Sequence, residues 1–166
     1  MTRDQYVRMT GRVRAAAAHL PGGERILRLP TYLCAAAYIA ALVHLMLLRD
    51  MRLVRALAVP AACFLLVTAL RPVIGKQRPY DRFDAEPVGD YRPGKGKSMP
   101  SRHAASAAAI AFAVVWLYPG WLAAVGMTAI CAAVAALRVL SGQHDISDVL
   151  AALALSAMVS LLGYGL

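Results

Sequence analysis

The sequence predicts an all-α integral membrane protein: a helical bundle of about five transmembrane helices plus a basic N-terminal interfacial helix or arm. Three observations predict it. Hydrophobic residues make up 60% of the 166 positions and charged residues only 16%, where a soluble domain carries roughly 25% charge. The apolar residues are gathered into runs long enough to cross a hydrocarbon layer of roughly 30 Å. The ionisable residues collect between those runs rather than within them. A soluble helical bundle is the competing class, and the lengths of the runs favour the bilayer.

Residues 1–28 carry Arg3, Arg8, Arg12, Arg14, Arg25 and Arg28 against Asp4 and Glu24. The stretch 6–20 suits a basic helix lying on the membrane surface, ended by Pro21-Gly22-Gly23; a disordered basic arm is the alternative. This segment is interrupted by arginines and lacks the continuous apolar core of a secretory signal. The first apolar run covers 29–48, with Pro30 placed for a first helical turn. Arg49-Asp50-Met51-Arg52 makes a polar hairpin. The second run covers 53–74; Arg55 can snorkel near its start, and Pro60 is a site for a kink. Residues 75–97 form the only long polar stretch. The third run, 101–118, is short and rich in small residues, from Ala104 to Ala109, so neighbouring helices can approach closely and it belongs at the centre of the bundle. Pro119-Gly120 turns into the fourth run, 121–140, and the fifth covers 146–166. The chain therefore divides into a basic segment, 1–28, and a transmembrane domain, 29–166.

The formal net charge of +9 and the isoelectric point near 10 come from segments between apolar runs. That placement suits anionic lipid headgroups and a phosphorylated substrate and gives no reason to expect nucleic acid. Cys34, Cys63 and Cys131 lie inside apolar runs with no CxxC or Cys/His ligand spacing, so neither a zinc site nor a disulfide framework is indicated. No cofactor and no metal is expected.

Three polar clusters stand out because ionisable groups at the ends of membrane segments are costly to keep. They are Arg71 with Arg78-Pro79, Pro100-Ser101-Arg102-His103, and Arg138 with His144 and Asp148. Counting five alternating crossings puts all three on one side of the membrane, together with the N-terminus. His144 and Asp148 are four positions apart, within reach at a helix start. A carboxylate on one imidazole nitrogen sets the tautomer and leaves the other nitrogen free to attack. A helix-capping pair is the plainer reading of those two residues alone. Arg138 can turn back to the same point as a phosphate clamp. Ser101 is placed as an N-cap, where the first N–H groups of a helix favour an anion. His103, in that first turn, can act as a general acid. Arg71 and Arg78, seven apart, can fold over one phosphate, whose oxygens match the guanidinium fork.

Together the clusters resemble the three signature motifs of the type 2 phosphatidic acid phosphatase (PAP2) superfamily: Lys-x6-Arg-Pro, Pro-Ser-Gly-His and Ser-Arg-x5-His-x3-Asp. Here they read Arg71-x6-Arg78-Pro79, Pro100-Ser101-Arg102-His103 and Leu137-Arg138-x5-His144-x3-Asp148, spanning roughly residues 53–160. Arg71 stands where the family has lysine, Arg102 where it has glycine, and Leu137 where it has serine.

The resemblance implies a metal-independent phosphatase working through a phosphohistidine, with a lipid phosphate as substrate and the bilayer as its setting. His144 would be the nucleophile, Asp148 its orienting carboxylate and His103 the acid. Arg71, Arg78, Ser101, Arg102 and Arg138 would hold the phosphoryl oxygens, with Lys76 helping from the same loop. Phosphatidic acid, phosphatidylglycerol phosphate and polyprenyl phosphates or diphosphates all fit. Two other classes are a non-catalytic phospholipid-binding membrane protein, which would need only the arginines, and a vanadate-dependent haloperoxidase-like enzyme, whose soluble, longer form the apolar runs disfavour. The expected side holds 15 Lys and Arg against three on the other. By the positive-inside rule the site faces the cytoplasm of a cell-membrane protein.

Overall fold

The computed structural model describes residues 1–94 and 97–165. Residues 95 and 96 of the polar 75–97 stretch, and the last residue of the fifth apolar run, lie outside the described residues. Among the described residues seven α-helices follow one another: α1 Arg3–Ala18, α2 Leu29–Leu47, α3 Arg52–Ile74, the short α4 Pro79–Phe83, α5 Arg102–Leu117, α6 Trp121–Leu140 and α7 Ile146–Tyr164. A 3-10 turn, Gly23–Arg28, leads into α2. The spans Gly23–Leu47, Arg52–Phe83, Trp121–Leu140 and Ile146–Tyr164 are long and apolar enough to cross a membrane, and α5 is a shorter apolar helix. Large apolar side chains such as Leu65, Val73, Leu122 and Leu162 are exposed on the outside of the bundle, as lipid-facing positions should be.

α5 packs against α2, α3, α6 and α7, so the alanine-rich helix is the central one. Ala104, Ala105, Ala107, Ala108, Ala109 and Ala113 are buried. With no bulk on these faces, van der Waals contact between helices replaces the hydrophobic drive that lipid removes. Polar atoms join the helices where they are closest. The Ser156 hydroxyl of α7 donates to the Ala105 carbonyl of α5 at 3.0 Å and lies 3.2 Å from the Cys63 sulfur of α3. Tyr38 of α2 donates to the Ala56 carbonyl of α3 at 2.7 Å. α3 runs through both Pro60 and Pro72, so Pro60 does not divide it. Gly163 of α7 lies so close to α3 that a Cβ there would come within 2.5 Å of a Val59 methyl.

The N-terminal segment is helical from Arg3, three residues earlier than the apolar pattern alone implies. The cause is local: Thr2 accepts from the Gln5 N–H at 3.3 Å while the Gln5 side chain accepts from the Thr2 N–H at 2.9 Å, a reciprocal cap that satisfies two otherwise free donors. Tyr6, Thr10 and Ala17 form the buried face of α1. That face lies on the polar end of the bundle, against α4, α6 and the 3-10 turn.

Gly163→Ala should strain the α3–α7 contact by about 1–3 kcal/mol, the usual cost of overpacking. It should lower the thermal unfolding midpoint in detergent, and adding Val59→Ala should recover part of the loss.

Candidate active site

The three clusters meet at one end of the bundle. Asp148 lies in the first turn of α7, fully buried. Its Oδ1 accepts from the Lys76 ammonium at 2.5 Å. Its Oδ2 accepts from the Ser98 hydroxyl and, at 3.1 Å, from the Asp145 N–H. His144 Nδ1 lies 3.4 Å from the same oxygen. The Asp148 carbonyl accepts from the Ser101 N–H at 3.0 Å, which ties the start of α5 to the start of α7. One carboxylate thus gathers the loop after α3, the residues before α5 and the turn before α7.

His144 sits just outside α7 rather than on its first turn, because Asp145 occupies the N-cap position. Its place comes from a tight turn at the end of α6: the N–H groups of Gln143 and His144 both donate to the Arg138 carbonyl, at 3.2 and 3.1 Å. The imidazole is 3% exposed. Burial lowers its pKa below the ordinary value; Asp148 opposes that shift by holding the charged form, and Arg78 and Arg71 add to it. The ring is therefore neutral at neutral pH, with Nδ1 on the Asp148 and Ser98 side, 3.3 Å from the serine hydroxyl.

The basic residues divide in position. Arg71, in the last turn of α3, is buried, and its guanidinium donates to the carbonyls of Lys97 and Pro100, so it shapes the chain entering α5. Arg78 donates to the Gln143 side chain at 3.2 Å. Lys76 reaches Asp148, Asp145 at 3.2 Å and the Ser147 hydroxyl at 2.8 Å; its charge is directed at carboxylates. Ser101 is the N-cap residue of α5, but its hydroxyl makes no capping bond. Among the described residues, the buried Ser101 Oγ and Arg78 Nε have no hydrogen-bond partner. Unpaired buried donors are costly, and these two suit an anion that brings its own oxygens. Arg102 and His103 follow in the first turn of α5 and are exposed. They head a cleft of about 390 Å³ lined mainly by apolar residues of α2, α3 and α5. Arg138 is half-buried and lines a small cavity of about 40 Å³ together with Arg28, Asp90 and Gln143.

Two residues that sequence reasoning passed over stand in the centre. Ser98 joins His144 to Asp148, and its N–H donates to the Lys76 carbonyl at 2.8 Å. Gln143 accepts from Arg78 while donating to the carbonyls of Val88 and Asp90, at 3.2 and 2.7 Å. Their only sequence signal is adjacency: Ser98 lies two residues before Pro100, and Gln143 immediately before His144.

A buried imidazole held by a carboxylate, with arginines and unpaired donors around it, has the chemistry to receive a tetrahedral oxyanion. The PAP2 superfamily model matches residues 51–166, and the chain belongs to that superfamily: it is a membrane phosphatase of the lipid-phosphate type. The fold is similar to the crystal structure of a transmembrane PAP2-type phosphatidylglycerolphosphate phosphatase from Bacillus subtilis, with a TM-score of 0.69 and 22% identity over 99% of this chain and 86% of that one. No curated protein matches the sequence.

In histidine-labelled protein followed by NMR, His144 should titrate below the free-imidazole value of about 6.5. Asp148→Asn should move that titration lower still, because the carboxylate favours the charged ring.

Proposed function

We propose that this protein hydrolyses the phosphomonoester or diphosphate of an amphiphilic lipid through a phosphohistidine, without a metal. The observation that carries the reading is the convergence of all three motif regions on the Asp148 carboxylate, with the neutral His144 imidazole beside it. His144 attacks phosphorus through the nitrogen that Asp148 does not hold. The lipid alkoxide leaves as the N–P bond forms and takes a proton from His103. Water then cleaves the N–P bond with His103 as base. Charge that spreads over the phosphoryl oxygens meets Arg78, Arg102 and Arg138, with the Ser101 hydroxyl and the first N–H groups of α5, while Arg71 stands behind them and holds the backbone that leads into α5. Donors already in place cost no reorganisation as the charge develops. Lys76 serves this set through Asp148, whose negative charge it balances.

The cleft headed by Arg102 and His103 supports an amphiphilic substrate. It leads from the polar end of the bundle down one face of α5, past Ser106, Ala107 and Ile110. An apolar tail fits there while the phosphate stays among the arginines. Phosphatidic acid, phosphatidylglycerol phosphate and polyprenyl phosphates all have this build. Arg102 stands beside the phosphate site with its guanidinium unpaired among the described residues, which suits a second phosphate. The distribution of Lys and Arg, 15 on the site's side against three, supports a cytoplasmic-facing site in the cell membrane.

Release of inorganic phosphate from a panel of lipid mono- and diphosphates tests this directly. His144→Ala should abolish turnover, and His103→Ala should lower it by about 10²–10⁴, the range for a general acid. EDTA should leave the rate unchanged. Bound lipid with no phosphate release would identify a lipid-holding protein instead, and halide oxidation with vanadate a haloperoxidase. Because His144 must be neutral to attack and His103 protonated to donate, activity should rise from acid pH with a midpoint below about 6.5 and fall again as His103 loses the proton it donates. A reporter fused to the C-terminus should read as external; a cytoplasmic C-terminus would reverse the orientation.

A further inference from the structure

The helix α1 precedes the region that the family model matches, yet it reaches the turn that carries His144. Tyr6 is fully buried, and its hydroxyl donates to the Gly142 carbonyl at 3.2 Å across 136 positions of sequence. The contact involves the whole ring. Gly142 has φ +74°, and a Cβ there would come within 2.4 Å of the Tyr6 oxygen and 2.7 Å of two ring carbons. Glycine is thus required twice, by backbone conformation and by the tyrosine lying against it.

The turn is held from its other side as well. The Ser141 carbonyl accepts from the Val88 N–H at 2.9 Å, and Gln143 bridges Arg78 to the carbonyls of Val88 and Asp90. α1 grips the same loop and the end of α4 that leads into it: Arg14 donates to the Pro87 carbonyl at 3.2 Å, Arg3 to the Phe83 carbonyl at 3.0 Å, and the Tyr6 and Phe83 ring centroids are 5.4 Å apart. Residues 141–143 are therefore held between α1 and the 84–94 loop, and Gly142 lies two residues from the imidazole.

We propose that Tyr6 is a positioning residue for the phosphatase reaction: by fixing Gly142 it sets where the His144 ring and the Gln143–Arg78 pair stand relative to the phosphoryl group. The inference rests on His144 as the nucleophile. Tyr6 touches neither substrate nor His144, and acts through the backbone of the turn. An attacking atom displaced by an ångström costs far more in rate than in binding.

The test compares Tyr6→Ala and Tyr6→Phe with wild type and His144→Ala in full-length protein, by phosphate release from lipid phosphate in detergent micelles. Thermal unfolding verifies that each variant is folded at the assay temperature. Tyr6→Ala should lower kcat about tenfold or more with KM within about twofold, and Tyr6→Phe, which keeps the ring, should restore most of the rate. The acid midpoint of the pH profile should also rise in Tyr6→Ala, toward that of a solvated imidazole, as water reaches the loosened turn. A smaller folded fraction lowers the plateau without moving the midpoint. The ionisable groups facing His144 are all retained in these variants: Asp148 from α7, Arg71 from α3, Arg78 from the following loop and His103 from α5. Gly142→Ala should itself lower kcat, and Tyr6→Ala added to it should recover part of the loss by removing the collision. Wild-type kcat and midpoint in Tyr6→Ala, or losses that simply multiply in the double variant, overturn the inference while an inactive His144→Ala leaves the nucleophile standing. An active His144→Ala overturns both.

Discussion

A carboxylate buried where a helix bundle meets the membrane surface is tolerable only if its charge is balanced and its oxygens accept hydrogen bonds. Asp148 meets that condition with donors from elsewhere in the chain: Lys76 from the loop after α3, Ser98 from the approach to α5, and the Asp145 N–H beside it. Removing any of these leaves an underserved charge in a dry place. The polar end of the bundle is therefore organised around one anion of its own, and the imidazole that faces it takes its orientation from the same oxygen. The arrangement resembles a catalytic dyad in logic: the carboxylate does no chemistry, but it decides which nitrogen is free.

The rest of the bundle makes that convergence possible. Small side chains along α5 let α3 and α7 come close enough for Ser156 to bond the α5 backbone. Lipid offers no hydrophobic drive between helices, so close approach is the source of cohesion. With α3, α5 and α7 in register, the three polar segments beyond their ends share one small volume. The basic residues differ in duty for the same reason. Arg71 and Lys76, nearest the packed helices, hold backbone carbonyls and carboxylates. Arg102 and His103, one step further out, face the cleft between α2 and α5.

The N-terminal helix adds a second layer. Its arginines bond the carbonyls of Phe83 and Pro87 and its tyrosine fills the space over Gly142, so the basic segment is part of the wall around the turn that carries His144. α1 is amphipathic in a particular sense: Tyr6, Thr10 and Ala17 are buried, while Arg8 and Arg12 are exposed.

The sequence alone determined the membrane class, the five apolar runs and their order, the centrality of the alanine-rich segment, and the identity of His103, His144, Asp148 and the arginines as a candidate set. These follow from composition, run length and fixed local spacing, which tertiary context does not alter. Only the tertiary structure decided who partners whom. Lys76 is directed to Asp148 across 72 positions, Ser98 stands between the histidine and the carboxylate, and Tyr6 closes on Gly142 from the far end of the chain. Such pairings depend on the path of irregular loops and on which hydrogen-bond donor is left over after the helices have packed. Neither leaves a period or a spacing that can be read along the chain.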